Sequence, residues 1–513
     1  MQTLPDHVPV AVIGAGPTGL SVAGLLAQAG VPVVVLERAP EPLDLPRAIV
    51  LDDEGLRMLQ ALGLSDAARA ATQPANGARY YDRDRQPFAE VGVGPEPYGF
   101  PKRNYLFQPD LEALLLARVQ AEPLARVHFG HEVTDRTQGD DGVTLSIATP
   151  GGGAVQMRCD WLVACDGGRS PTRTALGIPL DGETYGQDWV VIDMIRDPDD
   201  EPVSRFFCDD RRPHVSICAP RGGRRYEFMV MPGENGQDLL TDAALERLLA
   251  PIRPFDPADL KRRAIYTFHA RMARNWQAGR IFLAGDAAHL TPPFAGQGMN
   301  AGLRDAHNLA WKIAAVVRGG AAPAILDSYE AERRAPAWAM IQLAVAMGRV
   351  VMPAGPADAA LRDIVVTALA PFPAARDWLL QMKFKPRPRY AEGLFLDLDS
   401  PPFDGALVGE MVPQPPVEGQ PLDDLLGPGF ALLAQDAPGA AALPGLCAAL
   451  APLGPRAVAL PPGALDPADA RARSLRVHRD QVLLIRPDRY AMAAFDPATA
   501  AADATRLRAF LGA

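Results

Sequence analysis

"VPVAVIGAGPTGLSVAGLLAQAGVPVVVLER", residues 8–38, changes pattern three times in about thirty residues. Val8 to Ile13 is a short apolar run that stops at Gly14. It is too short for a helix and apolar on both faces, so it reads as a strand buried in a parallel sheet. From Pro17 to Ala29, Leu20, Ala23, Leu26 and Ala27 recur at helical spacing, and Gly30 supplies a C-terminal stop. Val31 to Leu36 is a second buried strand. Strand, glycine turn, helix and strand form a βαβ unit, the first half of a doubly wound α/β fold.

The turn has the spacing Gly14-x-Gly16-x-x-Gly19, with Pro17 and Thr18 opening the helix. The first glycine makes the tight turn, the second lets a pyrophosphate approach the backbone, and the third lets helix and strand pack closely. The helix N-terminus favours phosphate charge. Glu37 ends the second strand, 23 residues after Gly14, where its carboxylate can accept both hydroxyls of a ribose. These features predict a bound dinucleotide and do not by themselves separate a nicotinamide from a flavin.

A second stretch separates them. In "AGDAAHLTPPFAGQGMN", residues 284–300, the apolar run Ile281–Ala284 ends in Gly285-Asp286, and Gly296-Gln297-Gly298-Met299-Asn300 begins a long helix. A carboxylate at a strand end can accept hydrogen bonds from a polyol chain. A helix start offers free N–H groups and a positive dipole end. A reduced flavin carries negative charge near N1 and O2 and suits that partner. A flavin ring is therefore expected against residues 292–300. No Cys or His falls in the glycine segments expected to meet it, so attachment is expected to be non-covalent.

At 513 residues the chain exceeds one core, so two or three domains are expected. It is 48% hydrophobic and 22% charged, with a net charge of −10 and short, isolated basic pairs, which argues against a nucleic-acid partner. The basic pairs, Arg224-Arg225 among them, read as solvated surface. The five cysteines make no C-x-x-C pair or metal-ligand cluster, so no metal is expected and free thiols in a reducing, cytoplasmic compartment fit best. There is no basic leader before the first apolar run and no 18-residue apolar stretch, so neither a signal peptide nor a membrane span is expected.

Short β-like runs recur at Val127–Phe129, Val143–Ile147, Val155–Met157 and Trp161–Ala164, with Gly151–Gly153 as a hairpin turn. Residues 185–270 are again strand-rich. After residue 300, Leu303, Ala306, Leu309 and Ile313 share one helical face. Strands alternate with helices again from about residue 400.

Together, Gly14-x-Gly16-x-x-Gly19, Cys165-Asp166-Gly167-Gly168-Arg169-Ser170 and Gly285-Asp286-Ala287-Ala288-His289 form the three-motif set of the class A flavoprotein aromatic hydroxylases, and the chain resembles that family. The nearest resemblance is to bacterial 3-(3-hydroxyphenyl)propionate hydroxylases, through "PRAIVLDDEGLRMLQALGL", "FPKRNYLFQPDLEALL", "WLVACDGG", "YEFMVMPGE" and "KFKPRPRY". It implies an α/β fold like that of p-hydroxybenzoate hydroxylase: a Rossmann-type FAD-binding domain, an inserted mixed β-sheet substrate domain and a C-terminal thioredoxin-like domain. The expected boundaries are 1–180 for the first part of the FAD domain, with substrate-domain segments near 75–110. Residues 181–275 would form the substrate domain, 276–395 the second part of the FAD domain with long helices, and 400–513 the appended domain without C-x-x-C.

Residue by residue, the resemblance places Glu37 on the adenosine ribose with Arg38 beside it, Arg47 on the pyrophosphate side, and Gln108 on the ribityl chain. Val133 would hold the adenine through its backbone, and Asp166 would serve both FAD and NAD(P)H. Asp286 would take the ribityl hydroxyl and Gly298, Met299 and Asn300 the pyrimidine edge. Pro293, Phe294 and Gln297 would face the substrate. Phe294-Ala295 stands where a Trp-Gln pair is expected in the nearest relatives, which bears on the pocket.

The implied reaction is NAD(P)H-driven hydroxylation of a phenolic acid such as 3-(3-hydroxyphenyl)propionate by O2, ortho to its hydroxyl, through a flavin C4a-hydroperoxide. Tyr226, His269 and Tyr105 are candidates for the phenol base. Arg205, Arg224 and Arg225 are candidates to anchor the substrate carboxylate, and His289 reads as structural. A homodimer is a possible assembly. The alternatives are the same chemistry on a polycyclic, polyketide or antibiotic substrate, and a non-catalytic flavin-binding interaction protein.

Overall fold

In the computed structural model, which describes residues 3–353, 355–369, 371–398 and 402–512, strands His7–Ile13 and Val33–Glu37 lie side by side in parallel, Val12 opposite Val35. Both valines are fully buried. The helix between them runs Pro17–Gln28, with Gly30 at φ +82° just beyond its end. The expected start of the C-terminal unit at residue 400 lies outside the described residues.

These two strands sit in an eight-stranded sheet. Its path is Gln277–Ala278, Ile281–Leu283, Ala154–Ala164, His7–Ile13, Val33–Glu37 and Ala125–Phe129, with Glu132–Gly139 and Gly142–Ala148 branching off it. The five strands from Ile281–Leu283 to Ala125–Phe129 are parallel. Parallel neighbours set their C-terminal ends, and so Gly14, Cys165 and Gly285, at one edge. The runs expected at 155–157 and 161–164 are one strand, Ala154–Ala164. Its first half pairs as a hairpin with Gly142–Ala148 and leaves residues exposed; its second half is central and buried. The polar residues Arg158 and Asp160 fall where one environment gives way to the other.

A second eight-stranded sheet runs His289–Leu290, Leu260–Ala273, Leu180–Met194, Gly223–Met229, His214–Ala219, Ser204–Phe207, Ala78–Tyr81 and Pro87–Val91. Its pairings are antiparallel except Ser204–Phe207 with Ala78–Tyr81. The strand Arg103–Leu106 lies between Val50–Asp52 and Thr72–Pro74 in a small three-stranded sheet. Two long helices, Gly298–Val317 and Ser328–Val351, follow the Gly-Asp segment.

The C-terminal unit has strand order Arg456–Ala459, Ala431–Ala434, Val482–Ile485 and Ala491–Phe495, flanked by helices Ala437–Ala449 and Ala500–Leu511. It docks through buried charge. The Arg486 guanidinium donates to both Glu332 carboxylate oxygens at 2.9 and 2.8 Å and lies over the rings of Trp311, Phe395, Tyr390 and Tyr490. Lys312 Nζ lies 2.8 Å from Glu332. A second link joins Arg57 to Asp423 by two 2.7 Å hydrogen bonds. Burial alone would raise the Glu332 carboxyl, but Arg486 and Lys312 outweigh it and hold its pKa down at about 2, as Arg57 and Arg489 do for Asp423.

A carboxylate held below its ordinary pKa adds stability that is complete above the ordinary value and lost as pH falls toward the folded one. For Glu332 that window runs from 4.5 down to about 2. Melts followed by circular dichroism should show the midpoint dropping across it. Glu332→Gln should lose about 3–5 kcal/mol at neutral pH, because it leaves Lys312 buried without its ion-pair partner and takes from Arg486 one of its two carboxylates. An unchanged midpoint in that variant would contradict the docking role.

Candidate functional site

The edge of the first sheet is built from backbones too close for side chains. Gly14 has φ +102°, and a Cβ there would lie 2.4 Å from the carbonyl oxygen of Cys165. A Cβ on Gly19 would meet the Gly14 carbonyl at 2.0 Å. Thr18 is wedged between two more glycines: its Oγ1 would lie 2.7 Å from a Cβ on Gly285 and 2.3 Å from one on Gly302. The first turn of the N-terminal helix thus meets the Gly285 segment and the long helix that follows it at one point.

Asp305, buried on the long helix, fastens them. Its Oδ2 accepts from Gly285 N–H at 3.0 Å and lies 2.7 Å from His289 Nε2, while Oδ1 accepts from Arg333 Nε at 2.9 Å. Burial acts to raise this carboxyl, but the charges of His289 and Arg333 prevail and hold it at about 2. His289 is fully buried against Trp276, in keeping with a structural part. Asp305 had no sequence signal: it is one polar residue on a helix whose apolar face was the only readable pattern.

Beside this junction a cleft of about 340 Å³ opens between the two large sheets, within the range of small-molecule sites. Gly16, Pro17, Thr18 and Asp286 line it, with Arg47 and Gln108. Pro293, Phe294, Gln297, Gly298 and Met299 line it as well. Gly16 and Gly298 have no protein atom within 4 Å of an added Cβ, so their bare backbones face open space rather than packing. The ladder of the long helix begins at Ala301 N–H to Gln297 O, which leaves the N–H groups of Gly298, Met299 and Asn300 without intrahelical acceptors. Asp286 is exposed to the open cleft, yet the protein crowded around it acts to raise its carboxyl from the ordinary value, against the pull of His289 and Arg47.

Other expected site residues lie around this cleft rather than in its lining. Glu37 accepts from Ala15 N–H at 2.9 Å and Ala39 N–H at 2.8 Å, so its carboxylate braces the glycine turn. Arg38 is exposed. Val133 is buried in strand Glu132–Gly139, two residues after His131, whose N–H donates to Glu37 O at 2.8 Å. Asp166 accepts from Thr172 N–H at 3.0 Å, while its other oxygen is buried with no partner. The Asn300 side chain is spent on Asp52 N–H, Val50 O and Gly296 O, so only its backbone is open to a ligand. Gln108, by contrast, is in the lining; it accepts from Ala48 N–H and donates to Glu112 at 2.6 Å.

The second sheet supplies an apolar wall of Phe206, Val215, Ile217 and Phe268. Phe294 meets Trp189 and Phe268 edge-on, with ring centroids 5.8 and 5.4 Å apart. Of the three phenol-base candidates, His269 lines the cleft, with Nδ1 3.0 Å from Thr184 Oγ1. Burial, with help from Arg271 and Arg169, lowers its pKa, so the ring is neutral at neutral pH and able to take a proton. Tyr226 bonds Asp197 at 3.0 Å and Tyr105 lies 2.9 Å from Ser204 Oγ; both are buried outside the lining.

The three expected carboxylate anchors already have partners within the protein. Arg205 is paired with Asp199 and Glu201. Arg224 is buried and donates to the carbonyl oxygens of Asp199 and Glu201. Arg225 lines the cleft but is committed to Asp193 and to the Pro46 and Arg47 carbonyls. Arg224-Arg225 is therefore a buried pair, not the solvated surface that isolated basic pairs suggest. Among the cleft residues that sequence reasoning missed are Arg103, Glu227, Tyr266 and Thr267, with the apolar wall itself. Elsewhere the acidic run Asp52, Asp53 and Glu54 is buried, and Lys385 and Arg304 neutralise it.

Residues 7–344 match the family model described as "FAD binding domain", and residues 409–510 match "HcaD C-terminal domain". The chain is 39% identical to a 3-(3-hydroxy-phenyl)propionate/3-hydroxycinnamic acid hydroxylase of Klebsiella pneumoniae, covering 97% of this chain and 94% of that protein. The similarly named protein of Mycolicibacterium smegmatis is 42% identical over 84% of this chain and 77% of its own. Among solved structures, a ternary complex of aklavinone-11 hydroxylase with FAD and aklavinone has a TM-score of 0.81 at 27% identity, covering 99% of this chain and all of that one.

Gly302→Ala should destabilise the protein by about 1–3 kcal/mol, the usual cost of overpacking. Adding Thr18→Ala should recover part of it, because the clashing Oγ1 is removed. Thermal melts of the single and double variants check this, and strictly additive effects would contradict the contact.

Proposed function

The chain belongs to the FAD-binding aromatic hydroxylase family, and from that premise we propose that it hydroxylates a phenolic acid, such as 3-(3-hydroxyphenyl)propionate, ortho to its hydroxyl, with NAD(P)H and O2 as co-substrates. That it is a flavin-dependent aromatic monooxygenase follows from its family and relatives. The observation that carries the finer reading is the cleft itself: a bare-glycine, N–H-rich wall faces an apolar aromatic wall across one cavity.

FAD fits the first wall. The Gly14–Gly19 turn and its helix start would hold the pyrophosphate, and Asp286 would accept from the ribityl chain. The free N–H groups at Gly298 to Asn300 would face the pyrimidine edge. Asp166, with its unpartnered buried oxygen, is suited to a ligand donor. When bound, FAD reduced by NAD(P)H supplies the activation of O2. The protein's tasks are to exclude water with Phe206, Phe268 and Phe294, to orient the ring, and to take the phenol proton. His269 is the base that the geometry favours.

The polycyclic alternative has a specific observation in its favour, since the aklavinone enzyme shares the fold. The high identity to the phenylpropionate enzymes favours the monocyclic acid. The C-terminal unit is read as thioredoxin-like in form: a β-α-β pair followed by a β-β-α unit, in a sheet whose second strand lies at one edge. Its one cysteine, Cys447, is free, so an assembly or docking role suits it better than thiol exchange.

The purified protein should be yellow, and acid precipitation should release FAD into the supernatant. Asp286→Ala should weaken FAD about 5- to 150-fold, the loss of one buried polar partner, while Cys447→Ala should not. NADH oxidation should accelerate when 3-(3-hydroxyphenyl)propionate is added. A protein that takes up no FAD refutes the whole reading. Acceleration by a polycyclic phenol and not by the acid refutes only the substrate.

A further inference from the structure

Three arginines line the cleft among the described residues: Arg47, Arg103 and Arg225. Arg225 has its hydrogen bonds filled by Asp193 and two backbone carbonyls. Arg47 is half-exposed, 3.6 Å from Glu112, and its charge bears on Asp286 at the cofactor wall. Arg103 differs from both. Its Nε is buried without a hydrogen-bond partner, and among the described residues its guanidinium has no ion pair.

Arg103 is held firmly in place. It opens the central strand of the three-stranded sheet, with Asp52 as its backbone neighbour in the next strand. Side chains alternate along a strand, so Arg103 shares a face with Tyr105. The Tyr105 hydroxyl is 2.9 Å from Ser204 Oγ on the second sheet, so this face looks toward the substrate wall. The wall of the cleft that Arg103 lines also holds Phe206, Val215 and Ile217. A cation set in an apolar wall without a counter-ion is unfavourable unless a ligand brings the anion.

We propose that Arg103 is the carboxylate-binding residue of the substrate site, pairing with the side-chain carboxylate while the phenol ring lies among Phe206, Phe268 and Phe294. This rests on the aromatic-hydroxylase reading above and deepens it. It gives the site a preference for anionic over neutral phenols of the same shape. A guanidinium can grip a carboxylate through two parallel N–H bonds, which a lysine ammonium cannot reproduce.

The test titrates the FAD-loaded protein with 3-(3-hydroxyphenyl)propionate and with its methyl ester, following the change in flavin absorbance. Wild type, Arg103→Met and Arg103→Lys are compared, each with its FAD content measured. Arg103→Met should weaken the acid about 10- to 150-fold, the range for a hydrogen-bonded charge, and leave the ester unchanged. Arg103→Lys should recover part of the acid affinity. If Arg103→Met fails to hold FAD, Arg103→Gln takes its place. An acid that loses no more affinity than the ester in the neutral variant, or no recovery with lysine, overturns the proposal. If wild type binds neither the acid nor its ester, the substrate reading falls with it. Tight binding of the acid that is indifferent to residue 103 removes Arg103 alone.

Discussion

The fold turns on the contact of Thr18 with Gly285 and Gly302. It brings the first turn of the N-terminal helix against a segment more than 260 residues away and against the helix that follows it. Larger residues at those glycines would part the two helices. The edge of the first sheet would then no longer present Gly16, Asp286 and Gly298 to one space. Asp305 completes the arrangement by tying the Gly285 backbone, His289 and Arg333 to one buried carboxylate. The cleft is a consequence of close packing beside it.

How much was legible follows from how local each signal is. The Gly14–Gly19 turn could be read because a single turn imposes all three glycines, and a strand and a helix flank it within a few residues. Gly285-Asp286 and the Gly298 helix start were readable for the same reason. The arginines were not. Arg224 and Arg225 look like surface charge, yet their partners include Pro46, Arg47 and Asp199, which no neighbouring residue announces. Arg103 sits in a stretch legible only through its family resemblance, and what sets it apart, a guanidinium without an ion pair among the described residues, appears only when both sheets are in place. Asn300 shows the opposite limit. The sequence brought it to the cofactor edge, but its side chain turns back to hold Val50 and Asp52.

The charged contacts under the C-terminal unit extend the same logic. Glu332 is on the long helix Ser328–Val351, which packs against the Phe294 segment, and Arg486 belongs to the appended unit. A buried ion pair contributes little net stability compared with an apolar contact, but it tolerates only one docking geometry. The appended unit thereby steadies the helices behind the cleft without contributing a residue to its described lining.

The central claim is that this cleft transfers one oxygen atom from O2 to a phenolic acid. The most direct measurement supplies 18O2 and NADH with 3-(3-hydroxyphenyl)propionate and identifies the product by mass spectrometry. The account predicts a catechol carrying one 18O atom in the new hydroxyl, adjacent to the original one. NADH consumed with an unlabelled product, or with peroxide and no hydroxylated product, would contradict it.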